Sequence, residues 1–271
     1  MQPITIGWWS AGITSALACK LALETNQHVK LFYIETGAAH SDNARFKADC
    51  EQWYGLPIIT VKNRQGFENP LDVVLKTGMV NSPYGAECTN ALKKEVRFDI
   101  EELYSLNLFN DIVATQQIFG YEFETKEVNR AIRFLQQYPK AGALFPLIEK
   151  QINKSNCAAI IKGAGIKLPA MYDMGYSNNN CIGCLKGGKG YWNKIRQDFP
   201  QVFEQTAKVE RQVGHTCING TYLDELKPGS GRMKKAIVPD CGNFCDLEFT
   251  DKPARRLKEV LDGKISIYQA A

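Results

Sequence analysis

The sequence predicts an α/β protein built on a doubly wound, mainly parallel sheet. Apolar, β-branched or aromatic runs at residues 4–9, 29–34 and 57–61 alternate with helical patterns over residues 16–24 and 42–54. Strands and helices that alternate at this pace are typical of parallel sheets whose crossover helices cover both faces. A chain of 271 residues with 44% apolar content is long enough to bury such a core.

The pattern continues along the chain and then changes character at residue 165. Further helices are predicted at residues 86–104, 124–137 and 155–163, a buried strand at 112–119, and an extended apolar segment at 142–148. Beyond this point the sequence is rich in loops and cysteines, with a long helix predicted at residues 191–213. We therefore expect an α/β domain over residues 1–165. An appended cysteine-bearing region, residues 166–271 with a C-terminal tail, would fold back over the strand ends.

Composition restricts the function classes. The net charge of +4 comes from 33 basic and 29 acidic residues, which is too mild to argue for nucleic-acid binding by itself and suits an anionic small ligand. No apolar run approaches the roughly 20 residues of a membrane span, and no basic segment precedes an apolar one at the start. We expect no membrane partner and a cytoplasmic location.

The segment between the first strand and the first helix contains small and hydroxyl residues. Ser10, Gly12, Thr14 and Ser15 form a turn that leads into a helix N-terminus. Free N–H groups and the helix dipole favour an anion there, and glycine lets a ligand approach the backbone. The segment predicts a phosphate-binding loop, and the alternative is that Thr14 or Ser15 only caps a surface helix. In doubly wound sheets ligands bind outside the carboxyl ends of the strands, where this loop and residues 35–37 both lie.

Nine cysteines are more than packing requires in a chain of this size, and a reducing compartment disfavours structural disulfides. Two short pairs lie in turn-rich sequence, Cys181 with Cys184 and Cys241 with Cys245. Two such pairs can provide four-sulfur coordination to zinc or to an iron–sulfur cluster, and the spacing does not choose between these. We expect the four to converge on one metal centre, with Cys217 as an alternative ligand. The competing interpretation is four thiols that never meet.

Several other motifs complete the pattern. They are Glu35-Thr36-Gly37, Gly85-Ala86-Glu87-Cys88-Thr89 with Lys93, Glu127 with Arg130-Ala131, Phe145-Pro146-Leu147-Ile148, Asn178-Asn179-Asn180-Cys181-Ile182-Gly183-Cys184, and Gly190-Tyr191-Trp192-Asn193-Lys194-Ile195-Arg196. With the first loop, they resemble the phosphoadenylyl-sulfate (PAPS) reductase family of the adenine nucleotide alpha hydrolase superfamily. The resemblance extends to about residue 249 and is greatest to stand-alone members found in bacteriophages and mobile elements.

The resemblance implies that the first loop is a PP-loop that binds the phosphates of an adenine nucleotide, PAPS or ATP. The nucleotide-binding residues it implies are Ser10, Ala11, Gly12, Ile13, Thr14, Ser15, Glu35, Thr36, Gly37, Lys93, Glu127 and Arg130. In the ATP-using relatives this loop reads Ser-Gly-Gly-x-Asp-Ser, so Ala11 stands for a glycine and Thr14 for the acidic residue. A carboxylate at that position would help to hold magnesium, so its replacement weakens the expectation of ATP pyrophosphatase activity.

The resemblance also bears on the cysteines. Cluster-containing reductases carry a Cys-Cys pair before a lysine, whereas Cys88 is followed by Thr89, so one expected ligand is absent and Cys241 or Cys245 would have to replace it. The family's nucleophile lies in a C-terminal Glu-Cys-Gly segment, which Asp240-Cys241-Gly242 resembles. Cys241 is therefore the candidate catalytic residue, with metal ligation as its other role.

The implied function is a PAPS reductase-like oxidoreductase or sulfurtransferase of sulfur metabolism. A thioredoxin-like reductant would serve the reductase, and the chain would form a homodimer. Two alternatives stay open: an ATP-dependent enzyme that thiolates a nucleic-acid sulfur acceptor, and a catalytically inert nucleotide-binding protein.

Overall fold

The computed structural model describes residues 4–26, 28–80, 85–105, 116–231 and 253–271. The strands are β1 (Thr5–Trp8), β2 (Val29–Ile34), β3 (Ile58–Val61), β4 (Gln116–Ile118) and β5 (Ala143–Leu144). The helices are α1 (Ile13–Thr25), α2 (Asn43–Tyr54), α3 (Pro70–Thr77), α4 (Glu87–Thr89), α5 (Glu95–Ser105), α6 (Thr125–Gln137), α7 (Pro146–Glu149), α8 (Lys154–Gly163), α9 (Ala170–Asp173), α10 (Lys189–Asp198), α11 (Pro200–Val213), α12 (Leu257–Leu261) and α13 (Ile267–Ala270). A π-helical turn, Asn90–Lys94, joins α4 to α5, and a 3-10 helix, Leu223–Glu225, follows α11.

The five strands form one sheet in the order β3-β2-β1-β4-β5, and each neighbouring pair is parallel. The chain therefore moves outward from β1 through β2 to β3 and then crosses to the other side of β1 for β4 and β5. The predicted α/β, doubly wound fold is confirmed. The strand order reverses between β1 and β4, which is where ligands bind in sheets of this kind.

Helices cover both faces of the sheet because side chains along a strand alternate between the faces. Trp9 and Leu31 pack with α1, α2 and α8 in one core cluster. Trp8 and Phe32, one position away along the chain, pack with α5 and α6 in a second cluster. The two clusters make a three-layer domain with the sheet in the middle.

The C-terminal residues also contribute to the second cluster. Leu257 and Val260 of α12 and Ile267 of α13 are buried there beside Val128 and Ile132 of α6. The tail therefore packs on the α/β domain. The division of the chain at residue 165 stays a prediction.

Three predicted elements differ in the structure. The single helix over residues 191–213 is wrong: α10 ends at Asp198 and α11 begins at Pro200, because proline lacks an N–H and favours the first turn of a new helix. Pro146 likewise ends the predicted extended segment after β5 and starts α7. Of the strand predicted at 112–119, residues 112–115 lie outside the described residues, and β4 covers Gln116–Ile118.

Within the described part of the chain, no helix has both the length and the apolar character needed to cross a membrane.

Candidate functional site

The loop after β1 is closed by the hydroxyl of Ser15. Its Oγ accepts a hydrogen bond from Ser10 N at 3.0 Å, lies 3.0 Å from Ser10 Oγ, and donates to Gly12 O at 2.9 Å. The helix begins at Ile13, and Gly12 caps it without a side-chain hydrogen bond. The hydroxyls of Ser10 and Ser15 therefore bond within the loop, and the residue that caps α1 is Gly12 rather than Thr14 or Ser15.

Ala11, and not Gly12, takes the backbone conformation that favours glycine. Its φ is 61°, whereas Gly12 has an ordinary φ of −87°. An L-residue pays roughly 1–2 kcal/mol in the left-handed region. The loop thus retains the glycine-type geometry at residue 11 although the glycine itself is replaced.

The first turn of α1 leaves N–H groups available at the loop. In the described residues, no hydrogen-bond acceptor is found for the backbone N–H groups of Thr14 and Ser15. Ile13 N lies 3.4 Å from the hydroxyl of Tyr172. Unpaired N–H groups in the first turn, together with the helix dipole, favour an anionic ligand.

A cleft opens above this loop at the carboxyl ends of β1, β2 and β4. It encloses about 1050 Å³ with its open mouth included. The lining residues are Trp8, Trp9, Ser10, Thr14, Ser15, Phe32, Tyr33, Ile34, Thr36, Ala39, Asn43, Lys93, Phe119, Gly120, Tyr121, Glu122, Glu127, Arg130, Lys154, Asn178, Asn179, Asn180 and Cys181.

The residues predicted to bind nucleotide divide between the cleft wall and its support. Ser10, Thr14, Ser15, Thr36, Lys93, Glu127 and Arg130 line the cleft. Ala11, Gly12, Ile13, Glu35 and Gly37 do not line it.

Most of the predicted residues that do not line the cleft have a structural role beside it. Ala11 and Ile13 are buried in the core. Glu35 Oε1 accepts from Gly37 N at 2.8 Å and closes the turn after β2. Gly37 has φ 72°, and a Cβ there would lie 1.7 Å from Glu68 O, so this position requires glycine for packing.

One wall of the cleft carries a nearly buried ion pair. Arg130 Nη1 lies 3.2 Å from Glu127 Oε2, and the two side chains are 11% and 8% exposed. The guanidinium also lies 4.5 Å from the centre of the Tyr121 ring. These contacts hold the planar cation at the cleft, where a bidentate donor suits phosphate or sulfate.

The segment of residues 178–182 ties the second half of the chain to the cleft. The Lys154 ammonium donates to Asn178 Oδ1. Asn179 Nδ2 donates to Ala11 O, and Ile182 N donates to Ala38 O, both at 2.8 Å. These contacts hold residues 178–182 over the carboxyl ends of the strands.

Comparison with known proteins identifies the family. The profile of the phosphoadenosine phosphosulfate reductase domain matches residues 5–189, more than half of the chain. The match includes every residue that lines the cleft. The chain belongs to this family. Members of the phosphoadenosine phosphosulfate reductase family are typically enzymes that bind adenine nucleotides, which supports nucleotide-dependent sulfur chemistry in general.

A relative in Methanocaldococcus jannaschii is an uncharacterized protein, 25% identical over 246 residues. The alignment covers 87% of this chain and 45% of the relative. The chain therefore spans less than half the length of that protein.

Within the reductase domain, one described cysteine lines the cleft. Cys181 Sγ lies 3.1 Å from Thr36 Oγ1. The Tyr191 hydroxyl accepts from Cys184 N at 2.9 Å and donates to Cys181 O at 3.2 Å, so it clamps the turn between the two cysteines. Cys184 is buried away from the cleft wall. Among the described cysteines, Cys181 is thus the one that a ligand in the cleft would meet.

Cys217 lies beyond the family match and is buried. Burial raises the pKa of its thiol, and the negative charge of Glu210 and the thiols of Cys184 and Cys88 raise that pKa further. Glu210 also accepts from Cys217 N at 2.5 Å and from Leu223 N, which fixes this loop on α11. Cys217 therefore lies in the same buried cluster as Cys184.

The predicted four-cysteine centre extends outside the described residues, because Cys241 and Cys245 belong to residues 232–252. Among the residues that the structure does describe, no group of three or more His, Cys, Asp or Glu is arranged to hold a metal ion. The described donors alone therefore do not make a metal site.

Sequence reasoning assigned no role to several residues of the cleft. Asn178, Asn179 and Asn180 appeared only as part of a motif, and Asn43 and Lys154 carried no signal. The run of three asparagines just before the Cys-x-x-Cys turn was the available signal. Buried amides need hydrogen-bond partners, so such a run suggests contacts with a neighbouring loop or with a ligand.

Proposed function

We propose that the cleft binds an adenine nucleotide, PAPS or ATP, and that the protein reduces or transfers sulfur there. The observation that carries the proposal is that the hydroxyls of the phosphate loop, the guanidinium of Arg130 and the thiol of Cys181 line one cleft. The cleft lies where the strand order reverses, the position at which doubly wound sheets bind nucleotides.

The anionic groups of the nucleotide would bind at the loop end of the cleft. The backbone N–H groups of Thr14 and Ser15, which have no acceptor among the described residues, are the donors there. Lys93, Arg130 and Lys154 supply positive charge along the wall, and Glu127 is already paired with Arg130. Donors fixed before the ligand arrives favour anionic oxygen without a cost of reorganisation.

The reductase reaction requires a cysteine nucleophile. Cys241 is the proposed nucleophile by its resemblance to the family's Glu-Cys-Gly segment, and it lies outside the described residues. If it acts so, Cys241→Ser abolishes sulfite formation and leaves nucleotide affinity unchanged. The control Cys157→Ala, at a cysteine of α8 that does not line the cleft, keeps sulfite formation. Equal activity of both variants would remove Cys241 from the mechanism.

The competing functions are separated by turnover assays on the full chain. Reductase activity predicts sulfite from PAPS only when a thioredoxin-like dithiol is supplied. A thiolation enzyme predicts pyrophosphate from ATP when tRNA or DNA is present as the sulfur acceptor. Binding without turnover in either assay would identify an inert nucleotide-binding protein, and failure to bind either nucleotide would overturn the proposal.

A resident metal is a separate prediction. Zinc or a 4Fe-4S cluster at Cys181, Cys184, Cys241 and Cys245 depends on two residues that the structure does not describe. Anaerobically purified protein would then contain about one zinc ion or one cluster per chain, and Cys184→Ser would lose it. Unchanged metal content in that variant would contradict the centre. Magnesium would depend on the nucleotide, since Thr14 stands where relatives carry a carboxylate.

The homodimer, the cytoplasmic location and the phage or mobile-element subtype stay predictions. Sedimentation analysis of the full chain tests the first of these.

A further inference from the structure

Asn179 lies at the centre of the contacts that close the cleft. Its side chain is 7% exposed. Its Nδ2 donates to Ala11 O and to Asn43 Oδ1, both at 2.8 Å. These bonds join the phosphate loop to the first residue of α2.

The two hydrogen bonds fix the orientation of the amide. Ala11 O is an acceptor only, so the nitrogen of Asn179 must face it. Both hydrogens of Nδ2 are therefore committed, and Oδ1 is the atom of Asn179 left for a ligand.

Asn179 Oδ1 is buried and has no hydrogen-bond partner among the described residues. Asn180 Nδ2, the amide of the next residue on the same wall, is likewise buried without one. A buried polar atom without a partner loses its hydrogen bonds to water and gains none in return, which destabilises the folded protein. Both residues line the cleft, so a ligand bound there can supply a donor to Asn179 Oδ1 and an acceptor to Asn180 Nδ2.

We propose that Asn179 Oδ1 is a specificity-determining acceptor for a hydrogen-bond donor of the bound nucleotide. The inference rests on the proposed function, because it takes the ligand to be an adenine nucleotide. The donors of such a ligand are the ribose hydroxyls and the 6-amino group. A phosphate or sulfate oxygen cannot donate and is disfavoured beside Oδ1, so this atom selects an O–H or N–H at its position.

Asn179 also positions the loop, since it holds the carbonyl of the left-handed residue Ala11. Loss of the side chain would therefore weaken binding in two ways. Asn43→Ala separates them, because it removes one partner of Nδ2 and leaves Oδ1 in place. The positional effect should be the same for every nucleotide, whereas the acceptor effect should depend on the ligand donor.

The test is calorimetric titration of the full chain with ATP, 2′-deoxy-ATP, 3′-deoxy-ATP and inosine triphosphate. If the site binds PAPS and not ATP, the series is adenosine 3′,5′-bisphosphate with its 2′-deoxy and inosine forms. We expect the wild type to bind one analogue about 2- to 10-fold more weakly than the parent nucleotide, as for loss of one hydrogen bond. Which analogue it is distinguishes the ribose from the base.

Asn179→Ala should abolish this discrimination, whereas Asn43→Ala, which keeps Asn179 Oδ1, should retain it. Equal wild-type affinity for every member of the series would overturn the inference while leaving the proposed function intact, and it needs no folded variant. A uniform loss in Asn179→Ala with discrimination retained would also overturn it. Absence of wild-type binding to ATP and to adenosine 3′,5′-bisphosphate would instead overturn the proposed function and this inference with it.

Discussion

Ala11 and Gly12 have different backbone roles in the loop after β1: one adopts a left-handed conformation and the other leaves open space. Ala11 adopts the left-handed conformation, and the hydrogen bond from Asn179 to its carbonyl helps to hold it there. Gly12 supplies room, since a Cβ built on it would meet no atom closer than 3.6 Å. A side chain at residue 12 would therefore disturb a ligand more than the protein.

Gly12→Val should abolish nucleotide binding and leave the fold intact. A valine there would stand beside Ser10 Oγ and Ser15 Oγ, at 3.6 and 3.9 Å from its Cβ, where phosphate approaches the loop. Calorimetry with ATP and PAPS measures the loss. Gly188→Val is the matched control, because residue 188 has an extended backbone, open space around its Cβ and a place far from the loop after β1 in the sequence. Unchanged affinity in Gly12→Val would move the phosphate site elsewhere.

Gly120→Ala should both destabilise the protein and weaken nucleotide binding. A Cβ at Gly120 would lie 2.5 Å from the Cα and N of Ser15, so the loop after β4 and the start of α1 must separate. Overpacking of this kind costs roughly 1–3 kcal/mol. Thermal unfolding and calorimetry test it against Gly163→Ala, whose Cβ meets nothing within 4 Å. Equal unfolding temperatures for the two variants would contradict the close approach.

The residues of the cleft differ in how far the sequence predicts them. Ser10, Thr14 and Ser15 follow a strand and precede a helix, so their place at the sheet edge is a local property. The contacts of Asn179 join residues 168 and 136 positions apart in the chain. Such pairs depend on the tertiary path of the chain, which residue pattern does not specify. The position of Cys217 could not be predicted for the same reason. Its neighbours in the sequence are polar, yet its side chain is buried and its N–H donates to Glu210.

At the scale of elements, helix α2 is tied to the segment beyond α8 by one carboxylate. Asp42 precedes α2 and accepts from both Arg45 Nε and Arg45 Nη2, at 2.8 and 2.7 Å. It also accepts from Ala170 N at 2.8 Å, at the start of α9. Arg45 in turn donates to the carbonyls of Lys167 and Leu168. The network fixes the connection that leads toward residues 178–182.

Asp42→Ala should lower the free energy of unfolding by about 1–2 kcal/mol at neutral pH, because three charge-assisted hydrogen bonds are lost. The bonds from Arg45 lower the pKa of Asp42, and the bond from Ala170 N–H lowers it further against the opposing effect of burial. A lowered folded-state pKa stabilises the protein above the ordinary Asp pKa, and this contribution is lost as the pH falls through the lowered value.

Urea unfolding of the wild type and Asp42→Ala from neutral to strongly acidic pH measures that difference. The two should converge at the acidic end. Asp173→Ala is the control, since its 3.8 Å pair with Lys167 is largely exposed and should matter little. A difference that persists unchanged in acid would contradict the role of the Asp42 carboxylate.

The boundaries of a strand or helix can be predicted from the sequence where one kind of residue determines them. The β-branched run Val29–Ile34 has the predicted strand boundaries, and both faces of the sheet are buried as in other parallel sheets. The division between α10 and α11 was missed although Pro200 marks it, because apolar spacing continues through the break. Likewise, strand order is not visible in the pattern of apolar residues, so the central position of β1 needed the structure.

At the scale of the whole molecule, the site joins distant parts of the chain at one sheet edge. The phosphate loop follows the central strand, Arg130 comes from α6, and residues 178–181 return from beyond α9. The family match over residues 5–189 covers the same set. An adenine nucleotide bound in the cleft would therefore contact all three segments.

Hydrogen–deuterium exchange of the full chain, with and without saturating ATP or PAPS, tests this claim most directly. The nucleotide should slow exchange at the amides of Thr14 and Ser15 and in residues 119–122 and 178–181. Helix α11 (Pro200–Val213), which does not line the cleft, should exchange as before. Saturation by nucleotide with unchanged exchange at Thr14 and Ser15, or with protection confined to α11, would contradict the account.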